Sequence, residues 1–125
     1  MTTREIKEPT ADHPITITPT NGRVQVRVNG EVVADTRAAL GLAESSYPVV
    51  QYIPLGDVNP AVLTCTTTRT YCPYKGEASY YSVTTGDATV EDAIWTYQEP
   101  YPAVAAIAGH VAFYPNKADI SVVPD

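Results

Sequence analysis

An eleven-residue stretch in the second half of the chain concentrates side chains that could take part in chemistry. It reads Cys72-Pro73-Tyr74-Lys75-Gly76-Glu77-Ala78-Ser79-Tyr80-Tyr81-Ser82. The stretch holds one thiol, one amine, one carboxylate, three phenols and two hydroxyls. A strand that only filled a core would be richer in Val, Ile and Leu, so this density of reactive and hydrogen-bonding groups needs an explanation.

Three of these residues could form a catalytic group. Cys72 would be a nucleophile if Lys75 or the local backbone dipoles stabilised its thiolate form. Lys75 and Glu77 are two residues apart, so they lie on the same face if the strand begins at Lys75, and they could form an ion pair at its end. The functional alternative is that the Lys75 amine binds an anionic group of a ligand. The alternatives are a cysteine that only packs and a solvated ion pair that contributes little energy.

The histidines and cysteines do not indicate a metal centre. Cys65, Cys72, His13 and His110 are suitable zinc ligands by type, but their spacing resembles no recognised pair of metal knuckles. His110 could serve as a base for Cys72 only if the fold brought the two side chains together. We therefore predict no metal and no other cofactor.

A group of aromatic side chains could line a ligand pocket. Trp95 and Tyr97 share one face of a strand by the period of two, and Tyr74, Tyr80 and Tyr81 lie in the reactive stretch. Their phenols and the indole N–H could orient a flat or sugar-like ligand. The alternative is core packing, with the polar tips satisfied at the rim.

One further carboxylate is a candidate ligand-binding residue. Asp57 lies in the turn sequence Gly56-Asp57-Val58-Asn59-Pro60. Such an aspartate commonly caps its own backbone in a turn, which is the alternative to a role in a site.

Composition limits the class of protein and its partners. The 125 residues have the length of one domain, with a formal net charge of −6. The eight Lys and Arg residues are scattered, so the sequence predicts no nucleic-acid partner. No apolar run approaches the roughly 18 residues of a membrane span, so we predict a soluble, cytoplasmic protein. In that reducing compartment we expect two free thiols. The partner that we predict is a small-molecule ligand.

The order of elements predicts a mainly β fold. Short strands joined by turns, with eleven prolines, favour a small curved antiparallel sheet or a barrel-like fold. The pattern predicts one short helix near residues 102–108, between Pro102 and Gly109. We expect a mobile N-terminal arm over residues 1–20 and a single mainly β domain over residues 21–125.

Two local conformations follow from the first half of the chain. The segment 36–42 is too short to form a stable helix on its own, so we predict a single turn or a covering loop there. Asn29-Gly30 predicts a hairpin, for which we favour a three-residue loop. That loop would pair Val26 with Val32, Val24 with Ala34, and Arg27 with Glu31.

The chain also resembles a known family. The motifs that carry the resemblance are Asp57-Val58, residues 72–83, Ala93-Ile94-Trp95-Thr96-Tyr97-Gln98-Glu99-Pro100, residues 102–109 and Val111-Ala112-Phe113-Tyr114. In this order they are similar to a widespread bacterial family, domain of unknown function 427. The resemblance implies a small, mostly β domain and brings the label nucleotidyltransferase-like.

The residues themselves do not favour nucleotidyl transfer. That reaction usually needs several carboxylates close together to hold Mg²⁺, along with a cradle for phosphate. Here Glu91 and Asp92 are adjacent, so a strand would point them to opposite faces, and there is no Gly-rich phosphate loop.

Three hypotheses remain from the sequence. The first is a module that binds a small polar or anionic metabolite in a cleft formed by the Cys72 to Tyr81 segment with Trp95 and Tyr97. The second is a small enzyme that uses Cys72 or Lys75 in the same cleft, with Glu77 or Asp57 as partner. The third is a structural or interaction domain in which the motif only packs.

Overall fold

Alternation of polar and apolar residues produces most of the strands in the computed structural model, which describes residues 4–125. The ten strands are β1 (Ile15–Pro19), β2 (Arg23–Val28), β3 (Glu31–Thr36), β4 (Leu40–Glu44), β5 (Val50–Pro54), β6 (Leu63–Cys72), β7 (Gly76–Thr85), β8 (Ala88–Thr96), β9 (His110–Phe113) and β10 (Asp119–Val123). Three short 3₁₀ helices cover Leu55–Asp57, Pro60–Val62 and Pro102–Ile107. The predicted mainly β class is confirmed, and the helix expected near residues 102–108 is the last of these.

The strands form two antiparallel sheets. Seven strands lie in the order β1-β4-β5-β9-β8-β7-β6, and the other three in the order β10-β2-β3. Strands β1 and β6 are the open edges of the larger sheet, so this sheet does not close into a barrel. Of the two predicted forms, the curved open sheet is therefore correct.

An ion pair shows how strongly the larger sheet curves. Glu44 ends β4 and Lys75 precedes β7, and their side chains form an ion pair although β9 and two other strands lie between them. In a flat sheet four strand spacings would separate β4 from β7 by roughly 19 Å. The sheet must therefore curl until these two ends meet, which leaves a hollow on its inner face.

The two faces of the curved sheet carry two different cores. Neighbouring residues such as Tyr52 and Ile53 alternate between them, as the strand period requires. Ile53 and Ile94 belong to the core shared with the three-stranded sheet, whereas Tyr52 packs with Val104 and Ile107 of the last 3₁₀ helix. The aromatic residues of the inner face thus lie in the hollow.

The predicted hairpin register is wrong. The turn has two residues, because Asn29 and Gly30 both adopt positive φ, at 52° and 80°. A β-bulge then shifts the register, so that Val26 faces Ala34 and not Val32. The bulge lets a two-residue turn coexist with a strand pair whose apolar side chains face the same core. Without the bulge, a two-residue hairpin would place polar and apolar side chains on one face.

Residues 36–42 also differ from the prediction, because part of this segment belongs to a strand. β4 is hydrogen-bonded to β1 on one side and to β5 on the other. Leu42 is buried there, and Gly41 is paired with both neighbours. Tertiary pairing here overrides a local sequence that is typical of a turn.

The N-terminal arm predicted over residues 1–20 contains β1, so its last part is built into the sheet. Its mobility stays a prediction, and residues 1–3 lie outside the described part of the chain. Among residues 4–125, no helix has the length and apolar character needed to cross a membrane.

Candidate functional site

The hollow of the curved sheet contains a cavity of about 270 Å³. Its wall combines two charged side chains, six aromatic ones and three aliphatic ones. The lining residues are Leu42, Glu44, Tyr47, Pro48, Val50, Tyr52, Lys75, Tyr80, Trp95, Tyr97 and Tyr114. A concave, mostly apolar surface with a few convergent polar groups is typical of small-molecule sites.

Lys75 reaches the cavity because of the turn between β6 and β7. Cys72 pairs with Gly76 across this turn, and the Lys75 N–H donates to the Cys72 carbonyl over 3.2 Å. Gly76 has φ +112°, a conformation that a side chain would disfavour. The turn directs Lys75 inward, where it is only 8% exposed, and a lysine so buried needs a partner.

That partner is Glu44 and not Glu77. The Lys75 ammonium donates to one carboxylate oxygen of Glu44, whereas Glu77 accepts from Arg4 over 2.7 Å. The predicted pair of Lys75 with Glu77 is therefore wrong. Lys75 is the last turn residue and points to the inner face, whereas Glu77 is exposed on β7.

His13 completes the ion pair from the N-terminal segment. Its Nε2 lies 2.8 Å from the second carboxylate oxygen of Glu44. The imidazole also stacks on Tyr74, with ring centroids 4.2 Å apart and planes 11° apart. Sequence reasoning missed Glu44 and considered His13 only for zinc. No local pattern identifies the contacts of Glu44, because each of them joins residues 31 positions apart in the chain.

The electrostatics of the pair favour an ionised glutamate. Partial burial alone would raise the pKa of the Glu44 carboxyl, but the hydrogen bonds from Lys75 and His13 outweigh it. The pKa of Glu44 is therefore lowered from its ordinary value of 4.5. Glu44 remains a carboxylate wherever the protein is folded near neutral pH.

Acid should remove the stabilisation that Glu44 provides. Because its pKa is lower in the folded chain than in the unfolded one, the contribution is complete above about pH 4.5 and disappears as the pH falls through the folded value. We expect Glu44→Gln to be less stable than the parent at pH 7, with the difference in urea unfolding free energy narrowing towards pH 3. Other carboxylates titrate alike in both proteins, so a constant difference between pH 7 and pH 3 would contradict this prediction.

The phenols of the cavity are neutral hydrogen-bond donors. Tyr52 accepts from the Trp95 indole N–H over 3.1 Å, and burial raises its pKa to about 12. Burial likewise raises the pKa of Tyr97 well above its ordinary value. Within residues 4–125 the Tyr97 hydroxyl has no hydrogen-bond partner, while Tyr80 bonds to Thr70 and Tyr114 at 2.8 and 3.3 Å.

The cavity brings together four of the nine predicted site residues, namely Lys75, Tyr80, Trp95 and Tyr97. Cys72 is adjacent to them: its Sγ lies 3.7 Å from the Lys75 Nζ, but the thiol is not part of the cavity wall. Cys72 is half-buried and Cys65 exposed, and both are free thiols as predicted.

The other four predicted residues lie elsewhere. Tyr81 packs against the core that is shared with the three-stranded sheet. Tyr74 stacks on His13 behind the ion pair. Glu77 joins Arg4 in a separate polar pocket of about 260 Å³. Asp57 accepts from the Thr36 hydroxyl over 2.7 Å and so ties a 3₁₀ helix to β3.

The adjacent acidic residues Glu91 and Asp92 form no carboxylate cluster. Asp92 accepts from the hydroxyls of Thr66 and Thr68, over 2.8 and 2.7 Å. Among the described residues, no group of three or more His, Cys, Asp or Glu side chains is placed to hold a metal ion.

A family model described as a domain of unknown function, DUF427, matches residues 16–124. The chain belongs to this family. The DUF427 match includes Glu44, Lys75 and all the other residues of the cavity wall, whereas His13 precedes it. A comparison with curated proteins finds no match to this sequence.

Proposed function

We propose that this DUF427 domain binds a small molecule through a hydrogen-bond-accepting group, such as a carboxylate or a carbonyl. The observation that carries the proposal is an excess of hydrogen-bond donors on the cavity wall. No fully buried side-chain nitrogen or oxygen among the described residues lacks a partner, so these free donors are accessible from the cavity, where they favour a ligand that accepts hydrogen bonds from them.

The excess follows from counting donors and partners. The Lys75 ammonium has three N–H groups, of which one meets Glu44 and another has only the weak acceptor Cys72. Tyr52 accepts from Trp95, which leaves its own O–H available, and Tyr97 is unpartnered within residues 4–125. Lysine and two phenols of one cavity wall thus have N–H or O–H groups that can donate to a ligand.

The charges of the wall suit a neutral polar or a singly anionic ligand. Lys75 and Glu44 compensate each other, so an acceptor group meets a dipole and not a bare cation. Trp95 and Leu42 supply apolar area for the remainder of the molecule. A thiol-based enzyme is less well supported, because Cys72 lies behind Lys75 and outside the cavity wall.

The proposal predicts that removing one hydroxyl weakens binding. Native and denaturing mass spectrometry of freshly purified protein would identify a copurified ligand, which is then titrated into variants. We expect Tyr97→Phe to weaken binding about tenfold, since one hydrogen bond to the ligand is lost in a cavity with mostly apolar walls. The fold should be unaffected, because the Tyr97 hydroxyl has no partner among the described residues.

Tyr81→Phe is the matched control. Tyr81 is half-buried on β7 but packs with the other core, away from the cavity. The Tyr81→Phe variant should bind the ligand with the same affinity as the parent protein. Equal affinities of the parent and Tyr97→Phe would contradict the proposed site, as would failure to bind any ligand both on purification and in a screen of small carboxylates and carbonyl compounds.

A further inference from the structure

A second, larger depression adjoins the cavity and differs from it in polarity. Its volume is about 450 Å³. Four residues line both spaces, so the two lie side by side: they are Tyr47, Pro48, Val50 and Trp95. Trp95 therefore belongs to the junction, the part of the wall that the donor-rich cavity and this groove have in common.

The groove is apolar beyond that junction. Val49, Phe113, Ile120 and Val122 line it, and its one amide side chain, Gln51, accepts from the Thr20 hydroxyl over 2.5 Å. Val49 is 57% exposed and Val122 is 42% exposed. These two valines therefore present aliphatic surface on a concave face, which an apolar ligand could cover.

We propose that the ligand is an amphipathic acyl compound, with its carboxylate or carboxamide in the cavity and its apolar tail in the groove. This inference rests on the proposed function, because the head group is the acceptor that Lys75 and Tyr97 bind. The occupant is a small molecule and not a second protein chain, because the groove shares four wall residues with a cavity that has free hydrogen-bond donors. The tail leaves the head past Trp95.

A chain-length series tests the inference. Straight-chain carboxylic acids from butanoic to decanoic acid, and the matching primary amides, are titrated into the protein. Trp95 is the single tryptophan of the chain, so its fluorescence reports binding at the junction. We expect the association constant to rise about two- to fourfold per methylene, the upper figure being that of full burial, until the groove is filled.

A matched pair of variants locates the tail. Val122→Asp places a charge in the groove and should weaken decanoate binding at least tenfold while leaving butanoate unchanged. Val123→Asp, the next residue on the exposed edge strand, is not in the groove and should bind every length as the parent does. Tyr97→Phe removes a contact with the head group, so it should lower the affinity for acids of every chain length by the same factor.

The outcomes separate this inference from the proposed function. Affinity that is independent of chain length but sensitive to Tyr97→Phe would overturn the amphipathic ligand and leave the polar site standing. Failure of every straight-chain acid and amide to bind would also overturn the inference. The proposed function would still stand if a copurified ligand, or another compound of the screen, bound the parent more tightly than Tyr97→Phe. A Val122→Asp variant that changes the sedimentation mass without changing decanoate affinity would assign the groove to contact between copies and overturn it too.

Discussion

Replacing Lys75 by Met is expected to lower the free energy of unfolding by about 2 kcal/mol. The substitution leaves the Glu44 carboxylate on a largely apolar wall with His13 as its remaining partner. Loss of one partner from a fully buried ion pair costs about 3–5 kcal/mol, and the opening of this cavity to solvent reduces that value. Methionine keeps most of the aliphatic stem, so packing changes little. Urea unfolding followed by circular dichroism measures the effect.

A double-mutant cycle distinguishes the ion pair from a general loss of packing. Adding Glu44→Gln to Lys75→Met removes the unpaired charge, so the double variant should be more stable than the sum of the single effects indicates. Lys117→Met is the control, because Lys117 is an exposed lysine over the Tyr114 ring. A cost below about 0.5 kcal/mol for Lys75→Met, as for a surface substitution, would contradict the role of the pair.

Gly76→Ala is expected to cost about 2 kcal/mol and to weaken ligand binding. At φ +112° an alanine is strained whatever the surrounding space. Its Cβ would lie 3.4 Å from the Glu99 carbonyl oxygen, an ordinary contact distance, so the cost comes from the backbone conformation. The turn would relax by moving Lys75, whose carbonyl accepts from the Tyr101 N–H over 3.0 Å. Unfolding and ligand titrations measure the two effects.

Two other glycines serve as controls for this strain. Gly56 has no positive φ, and no neighbouring atom lies within 4 Å of the place that an added Cβ would occupy, so Gly56→Ala should be close to neutral or slightly stabilising. Gly86 has φ +57° in an open turn, so Gly86→Ala should cost about 1 kcal/mol without affecting binding. If all three substitutions cost the same, the conformation of Gly76 would not be what positions Lys75.

Four of the nine predicted site residues prove to line the cavity. Tyr80, Trp95 and Tyr97 were identifiable because they lie in or beside strands whose alternation fixes the face of each side chain. Tyr80 and Trp95 are then direct partners across β7 and β8, which are consecutive strands joined by a short turn. Local periodicity is sufficient for such neighbours, because a hairpin leaves little choice of pairing.

Glu44 could not be found in the same way. It lies at the end of a strand that the local sequence does not predict, since Gly41 and the neighbouring alanines are poor strand formers. β4 forms because β1 and β5 offer hydrogen-bonding edges on both sides. The contact of Glu44 with Lys75 further depends on the curl of the whole sheet.

The sequence by itself determined a small, mainly β domain and a lysine among tyrosines that needed an explanation. Composition and the period of two suffice for these, because they act through each residue's own backbone and its nearest neighbours. Only the tertiary structure decided that Lys75 meets Glu44, that Glu77 and Asp57 lie outside the cavity, and that Trp95 lines both a polar cavity and an apolar groove. These relations depend on strand order and sheet curvature, which are set by the packing of the whole chain at once and leave no signature in any single segment.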